Sequence, residues 1–199
     1  MRITPEELNG YMKNWDEQTR GILLRRMKDR FRREALEHFS GKEADILGAV
    51  LDRMIPQSPD ERIDLVGFVD WAMGKPLGRG DRQEGLPPEE ILFSKGIAGI
   101  QETAREMFKS DFTVLKEYQK DEVLTALQEG LAKGRTWEEI PSRQFFIKLL
   151  VKALTGYCSH PFAWMRMGFP GPSYPEGYVW IRQPEIRARR RHFPGWKTF

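Results

Sequence analysis

Apolar residues recur along this chain at helical spacing and nowhere at the alternating spacing of a strand. Leu47, Val50, Leu51, Met54 and Ile55 fall at i, i+3, i+4, i+7 and i+8, one stripe of a helix. They predict a helix over residues 43–55, stopped at Pro56 because the residue before a proline avoids the helical region. Leu65, Val66, Val69, Ala72 and Met73 repeat the pattern. Ser58-Pro59-Asp60-Glu61 is expected to open that second helix as a capping box with proline at its first position. Further helices are predicted at about 89–109, 117–129 and 142–155, the last led by Pro141 and carrying Phe145, Phe146, Leu149, Leu150 and Leu154. Residues 111–115 form a short joint. Residues 5–39 read as one helix, with Thr4 as N-cap and Pro5 in its first turn. There the charges Arg25, Arg26, Lys28, Arg30, Arg32 and Arg33 surround Ile22, Leu23, Met27 and Phe31, as on a solvated face. With no repeat and no low-complexity tract, the expected fold is all-α: an irregular helical bundle of five to six helices.

The pattern breaks down over residues 156–181. Seven aromatics (Tyr157, Phe162, Trp164, Phe169, Tyr174, Tyr178, Trp180) stand among four prolines (Pro161, Pro170, Pro172, Pro175) and four glycines. Each proline removes a backbone donor and fixes φ, so no regular helix is expected through this segment. Aromatic surface on an irregular backbone has to be buried, against its own domain, against another protein, or against both. Both are expected here. Residues 75–88, rich in Gly, Pro and charge, read as a connection. Their Gly78-Arg79-Gly80 lacks the preceding strand and spaced glycines of a phosphate loop.

A length of 199 residues, 40% hydrophobic and 31% charged, suits one globular domain. The organisation expected is a single helical domain over 1–181, its residues 1–38 a charged helical extension, followed by a basic tail, 182–199, that packs on a partner. No apolar run approaches the ~20 residues needed to cross a bilayer. The opening MRITPEELNGYMKNW holds no apolar core of an export signal, so a cytoplasmic location is expected. The net charge of +3 is local: from Arg182 onward six cations (Arg182, Arg187, Arg189, Arg190, Arg191, Lys197) face one acid, Glu185, leaving residues 1–181 at −2. A nucleic-acid-binding domain more often spreads its cations over a whole face.

No catalytic, cofactor-binding or metal-ligating set emerges. His38, His160 and His192 are scattered, and Cys158-Ser159-His160 offers two zinc ligands where four are needed. A small buried thiol beside a capping or hydrogen-bonding histidine is the expectation there. Glu138 and Glu139 are adjacent in a helix turn and point apart, and the eight methionines are dispersed. No H-x-x-x-H helix, nucleophile elbow or dinucleotide fingerprint occurs. This is the profile of a subunit without its own catalysis.

Three blocks resemble the small subunit of membrane-associated gluconate 2-dehydrogenase, often called subunit 3. Residues 39–56, closing on Asp52-Arg53-Met54-Ile55-Pro56, are similar to that family's opening helix. Val66-Gly67-Phe68-Val69-Asp70 is similar to its "V-x-x-(F/Y)-(I/V)-D" helix. Phe145-Phe146, then Gly156-Tyr157-Cys158-Ser159-His160-Pro161 and Gly168-Phe169-Pro170-Gly171, resemble its ending of paired aromatics and two turns. The resemblance implies a large FAD-dependent partner of the glucose–methanol–choline (GMC) type that oxidises a sugar, sugar acid or polyol. It also implies a cytochrome c as a common electron acceptor, and a small subunit that helps the large one mature. Relatives usually carry a twin-arginine signal. Here the charged 5–39 segment precedes the first block instead, so a periplasmic location is expected only through export with a partner. The flavin is expected in that partner and no cofactor in this chain. The partner-binding residues expected are Tyr157, His160, Pro161, Trp164, Gly168, Phe169, Pro170, Gly171, Pro172, Tyr174, Tyr178 and Trp180, with Arg187, Arg189, Arg190 and Arg191 of the tail lying on the partner. The alternatives are an adaptor for nucleic acid or a membrane surface that uses the basic tail, and a free-standing enzyme with an unrecognised site.

Overall fold

The computed structural model describes residues 5–13, 15–28, 35–58, 62–74 and 85–169. Among them run nine α-helices and no strand: α1 (Pro5–Tyr11), α2 (Glu17–Lys28), α3 (Gly41–Met54), α4 (Leu65–Met73), α5 (Glu89–Phe108), α6 (Glu117–Glu129), α7 (Thr136–Glu139), α8 (Ser142–Cys158) and α9 (Pro161–Arg166). The all-α expectation holds, and α3, α5, α6 and α8 stand close to where periodicity puts them. A 3-10 turn, Phe112–Val114, fills the joint between α5 and α6.

Two predictions are corrected. The helix expected over 5–39 is broken after Tyr11. Met12 and Trp15 turn inward into a small apolar cluster with Leu23, which a straight helix could not do. The break is held by polar groups. Asp16 accepts the Thr19 N–H at 2.9 Å and the Thr19 hydroxyl at 2.6 Å, which hold its carboxyl below the usual carboxylate range. The Arg20 guanidinium donates to the carbonyls of Met12 (2.9 Å) and Lys13 (2.6 Å). Residues 29–34 lie outside the described chain. The second correction concerns α4, which starts at Leu65 with Asp64 as N-cap accepting Gly67 N–H at 2.8 Å, and not at Ser58. Ile63 has to be buried, and the Gln57 side chain fixes its backbone from both sides, accepting its N–H (2.8 Å) and donating to its carbonyl (3.1 Å). Residues 62–64 are therefore non-helical, and α4 begins after them.

The main core lies between α3, α4, α5, α6 and α8, with Phe93, Phe112 and Phe145 its largest fully buried side chains. Burial of each such side chain stabilises by about 1.5–3 kcal/mol. The long α5 organises its neighbours. The Phe145 ring lies over Gly96 so closely that a Cβ there would come within 2.1 Å of it, and the Trp137 ring over Gly99 within 2.6 Å. Three successive α5 side chains then receive later parts of the chain. Gln101 accepts the N–H of Phe112 (3.0 Å) and Glu102 the N–H of Thr136 (2.9 Å). Thr103, fully buried, shares its single hydroxyl hydrogen between the Gly99 and Lys133 carbonyls while accepting the Trp137 indole N–H at 2.8 Å. Lys152 on α8, only 11% exposed, is matched to Glu89 on α5 at 2.7 Å. Arg53 on α3 forks onto Asp121 on α6 at 2.8 and 2.7 Å. That second pair is open to solvent, which screens it, so it adds little to stability.

Asp70 is a buried carboxylate, 2% exposed, on α4. It accepts three consecutive backbone N–H groups, those of Glu37 (2.8 Å), His38 (2.9 Å) and Phe39 (2.9 Å). The next N–H, that of Ser40, goes to Glu43 Oε2 (2.9 Å), while Ser40 Oγ accepts Glu43 N–H (3.3 Å) in a capping box. Four donors in a row thus end on carboxylates, and α3 starts immediately after them.

Asp70→Ala strands three donors beside the core and should cost about 3 kcal/mol or more in urea unfolding. Asp70→Asn, which keeps one acceptor oxygen, should cost less. Gly96→Ala should cost about 1–3 kcal/mol by displacing the Phe145 ring, and pairing it with Phe145→Leu should return part of the loss.

Candidate functional site

The last described helices and the first ones meet at a corner that gathers most of the described aromatics of the 156–181 segment. Its construction begins with α8, which continues to Cys158 and stops with Ser159 N–H on the Thr155 carbonyl (3.0 Å) and Ser159 Oγ on the Gly156 carbonyl (3.1 Å). His160 caps the next helix, its Nδ1 accepting the Phe162 N–H at 3.3 Å, and Pro161 occupies the first helical position. The expectation that no helix runs through this segment is therefore corrected within the described residues. A proline at the first position of a helix loses a donor that would have had no intrahelical partner anyway.

The end of α9 is equally determined. Gly168 takes φ 66°, Gly168 N–H reaches the Met165 carbonyl (3.3 Å), and Phe169 N–H reaches the Trp164 carbonyl (2.9 Å). These are the paired bonds of a Schellman ending, completed by the contact between the rings of Phe169 and Trp164, 5.5 Å apart and edge-on. The Trp164 indole N–H donates to the Cys158 carbonyl at 2.5 Å and so ties α9 back onto the end of α8. Trp164 also packs on the Met12–Trp15–Leu23 cluster. Tyr11, edge-on to Trp15 at 5.1 Å, donates its hydroxyl to the Phe169 carbonyl at 2.7 Å. Burial pushes the Tyr11 hydroxyl pKa up.

The outcome for each expected residue follows from this frame. Tyr157 is half-buried against the main core, Pro161 is buried, and His160 and Trp164 are half-buried. Gly168 is exposed at its turn, and Phe169 is 38% exposed beside it. Pro170, Gly171, Pro172, Tyr174, Tyr178, Trp180, Arg187, Arg189, Arg190 and Arg191 lie outside the described residues. Cys158, expected as a buried thiol, is exposed. With α8 three residues longer than periodicity suggested, position 158 falls opposite the buried positions Leu149 and Ala153. The histidine beside it does cap a helix, as expected.

Sequence reasoning passed over Tyr11, Met12 and Trp15, which form the other half of the corner. Their signal was present as an aromatic pair at i, i+4 in a segment otherwise read as solvated.

A family model described as gluconate 2-dehydrogenase subunit 3 matches residues 41–171, from the first residue of α3 to just beyond the Schellman turn. The chain belongs to the gluconate 2-dehydrogenase subunit 3 family. No curated protein and no solved structure matches it. The family is by its description that of a dehydrogenase subunit, so the chain takes its place as part of a larger complex. The matched span takes in Asp70, the α8–α9 corner and the paired Phe145 and Phe146. It leaves out α1 and α2, which dock on its last helix. Among the described residues no helix is long and apolar enough to cross a membrane.

Trp164→Ala removes both the indole bond to α8 and the lid of the small cluster. Amide exchange should then show protection lost across α1 and α2, with α3 to α6 within a few-fold of the parent. Equal loss of protection throughout would mean that the corner and the main core open as one.

Proposed function

We propose that this chain is the non-catalytic small subunit of a large FAD-dependent dehydrogenase of the GMC type, one that oxidises a sugar, sugar acid or polyol. It binds the large subunit, stabilises it and assists its maturation. The observation that carries this reading is the build of the corner. A helix is capped, turned by Gly168 and closed by a ring pair, so that Phe169 is presented half-open on a defined backbone as the chain enters its Pro-Gly-Pro and aromatic stretch. Aromatics fixed in this way are suited to anchor an interface, because little side-chain freedom remains to be lost on binding.

In this reading Phe169, Tyr174, Tyr178 and Trp180 anchor the partner. Tyr157, His160, Pro161 and Trp164 hold the presenting turn, and Pro170, Gly171 and Pro172 shape the segment. The Arg187, Arg189, Arg190 and Arg191 run lies on acidic surface of the large subunit. The flavin and the oxidation chemistry belong to the large subunit, with a cytochrome c as a further member of the complex. The matching of the chain to a subunit family by description supports the assignment.

The test is co-production of the chain with the large dehydrogenase subunit of its own organism. Phe169→Ala and Trp180→Ala should each raise the Kd of the pair about tenfold or more, the scale of a truncated aromatic anchor. Soluble yield and flavin content of the large subunit should fall with it. Unchanged yield, flavin loading and affinity in both variants would overturn the reading.

A further inference from the structure

Both backbone polar groups of Phe169 are held, although the position is open. Its N–H ends on the Trp164 carbonyl at 2.9 Å, and its carbonyl accepts the Tyr11 hydroxyl at 2.7 Å. Its ring stands edge-on to Trp164, 5.5 Å away. The N–H bond and the ring contact close α9, as a Schellman ending requires. The carbonyl bond is not needed for that. A carbonyl at an exposed position can be satisfied by water, and tying it to a side chain orders a tyrosine for little net stability. What such a bond sets is direction. Pro170 follows, and a residue before a proline keeps to extended backbone. With its N–H and its carbonyl both pinned, Phe169 has little freedom left at the point from which the chain goes on.

The group that pins this carbonyl comes from far away and is itself held. The match to the subunit family begins at Gly41, and α1 and α2 lie ahead of it. Tyr11 rests edge-on against Trp15 at 5.1 Å, and its raised pKa keeps the proton on the hydroxyl that donates. Trp15 packs with Met12 and Leu23, and Arg20 locks the break between α1 and α2 through the Met12 and Lys13 carbonyls. This cluster stands apart from the main core, with Trp164 of α9 packed against it. The two helices are thus built around the turn at 164–169 and not around the bundle. A strap meant to hide the turn would bury the Phe169 ring, but that ring stays 38% exposed while α1 holds the backbone.

We propose that α1 and α2 form a clamp that aims the partner-binding segment, with Tyr11 as its positioning residue. The Tyr11 hydroxyl fixes the Phe169 carbonyl, and thereby the course on which the aromatics beyond Pro170 meet the large dehydrogenase subunit. This rests on the reading of the chain as a small subunit, and it gives residues ahead of the matched span a part in that contact. Tyr11 acts through Phe169 and not by touching the partner.

The experiment uses the full chain and the large subunit of its own organism, co-produced, then separated and remixed. Tyr11→Phe keeps the ring on Trp15 and removes only the hydroxyl. It should raise the Kd of the pair about threefold to tenfold, the scale of one lost hydrogen bond, while the isolated chain melts as the parent does. A positioning role also makes the hydroxyl and the anchors one unit. Tyr11→Phe combined with Trp180→Ala should therefore raise the Kd by less than the product of the two separate factors. If the parent pairs and Tyr11→Phe pairs equally well, the clamp falls and the small-subunit reading stands. Factors that simply multiply would mean that Tyr11 acts apart from the aromatic segment. A lower melting temperature of isolated Tyr11→Phe would make the bond a support of the fold. Either result overturns the inference. If the parent forms no pair, the inference and the small-subunit reading fall together.

Discussion

The capture of three successive N–H groups by the Asp70 carboxylate is the contact on which the arrangement of the core depends. Backbone donors next to a hydrophobic core need partners, and a turn of three residues cannot supply them from itself. By reaching across from α4, Asp70 satisfies them and fixes in the same stroke where α3 begins relative to α4. With the Ser40 and Glu43 capping box immediately following, the inward stripe Ala44, Leu47, Val50 and Leu51 is set in phase with the face of α4 that carries Val66, Val69 and Met73. Glu43 extends this order to α5 through Ser94. Burial raises its carboxyl pKa, but the bonds from Ser40 and Ser94 outweigh that and hold it below the usual range. An apolar residue of the same size could fill the site of Asp70 but could not choose the register.

Much of this was legible in the sequence. The stripes of α3 and α4 are plainly periodic, and the bundle class followed from them together with the other apolar helical segments. Most of what escaped was decided by partners distant in the chain. At Ser58 the deciding partner is near, the Gln57 side chain that holds the Ile63 backbone, and a good capping pattern gives way to it. Gly96, Gly99 and Gly156 sit in ordinary helical backbone. Their reason is a ring delivered from elsewhere, Phe145, Trp137 and Phe68 respectively, and no spacing rule announces it. Asp70 was visible as part of a block of resemblance, but its task was not, because its three donors lie more than thirty positions earlier.

The corner shows the same division. The aromatic, proline-rich composition marked the right region, and His160 as a cap was foreseeable from its place before Pro161. The helicity of α9 was hidden by the same proline, whose effect inside a helix is opposite to its effect at the start. Exposure of Cys158 follows from helix phase alone once the true length of α8 is known. Small differences in helix length thus decide which residues are core and which are surface, and the functional reading shifts with them.

The hydroxyl of Tyr11 and the carbonyl of Phe169 are joined across 158 positions of sequence. That bond sets an order of events during synthesis. Until Trp164 and Phe169 have left the ribosome, α1 and α2 have no surface to settle on, although α3 to α6 are already free to collapse. The part of the polypeptide made first is therefore the part that waits longest, and proteases or chaperones in the cell would meet it before its seat exists.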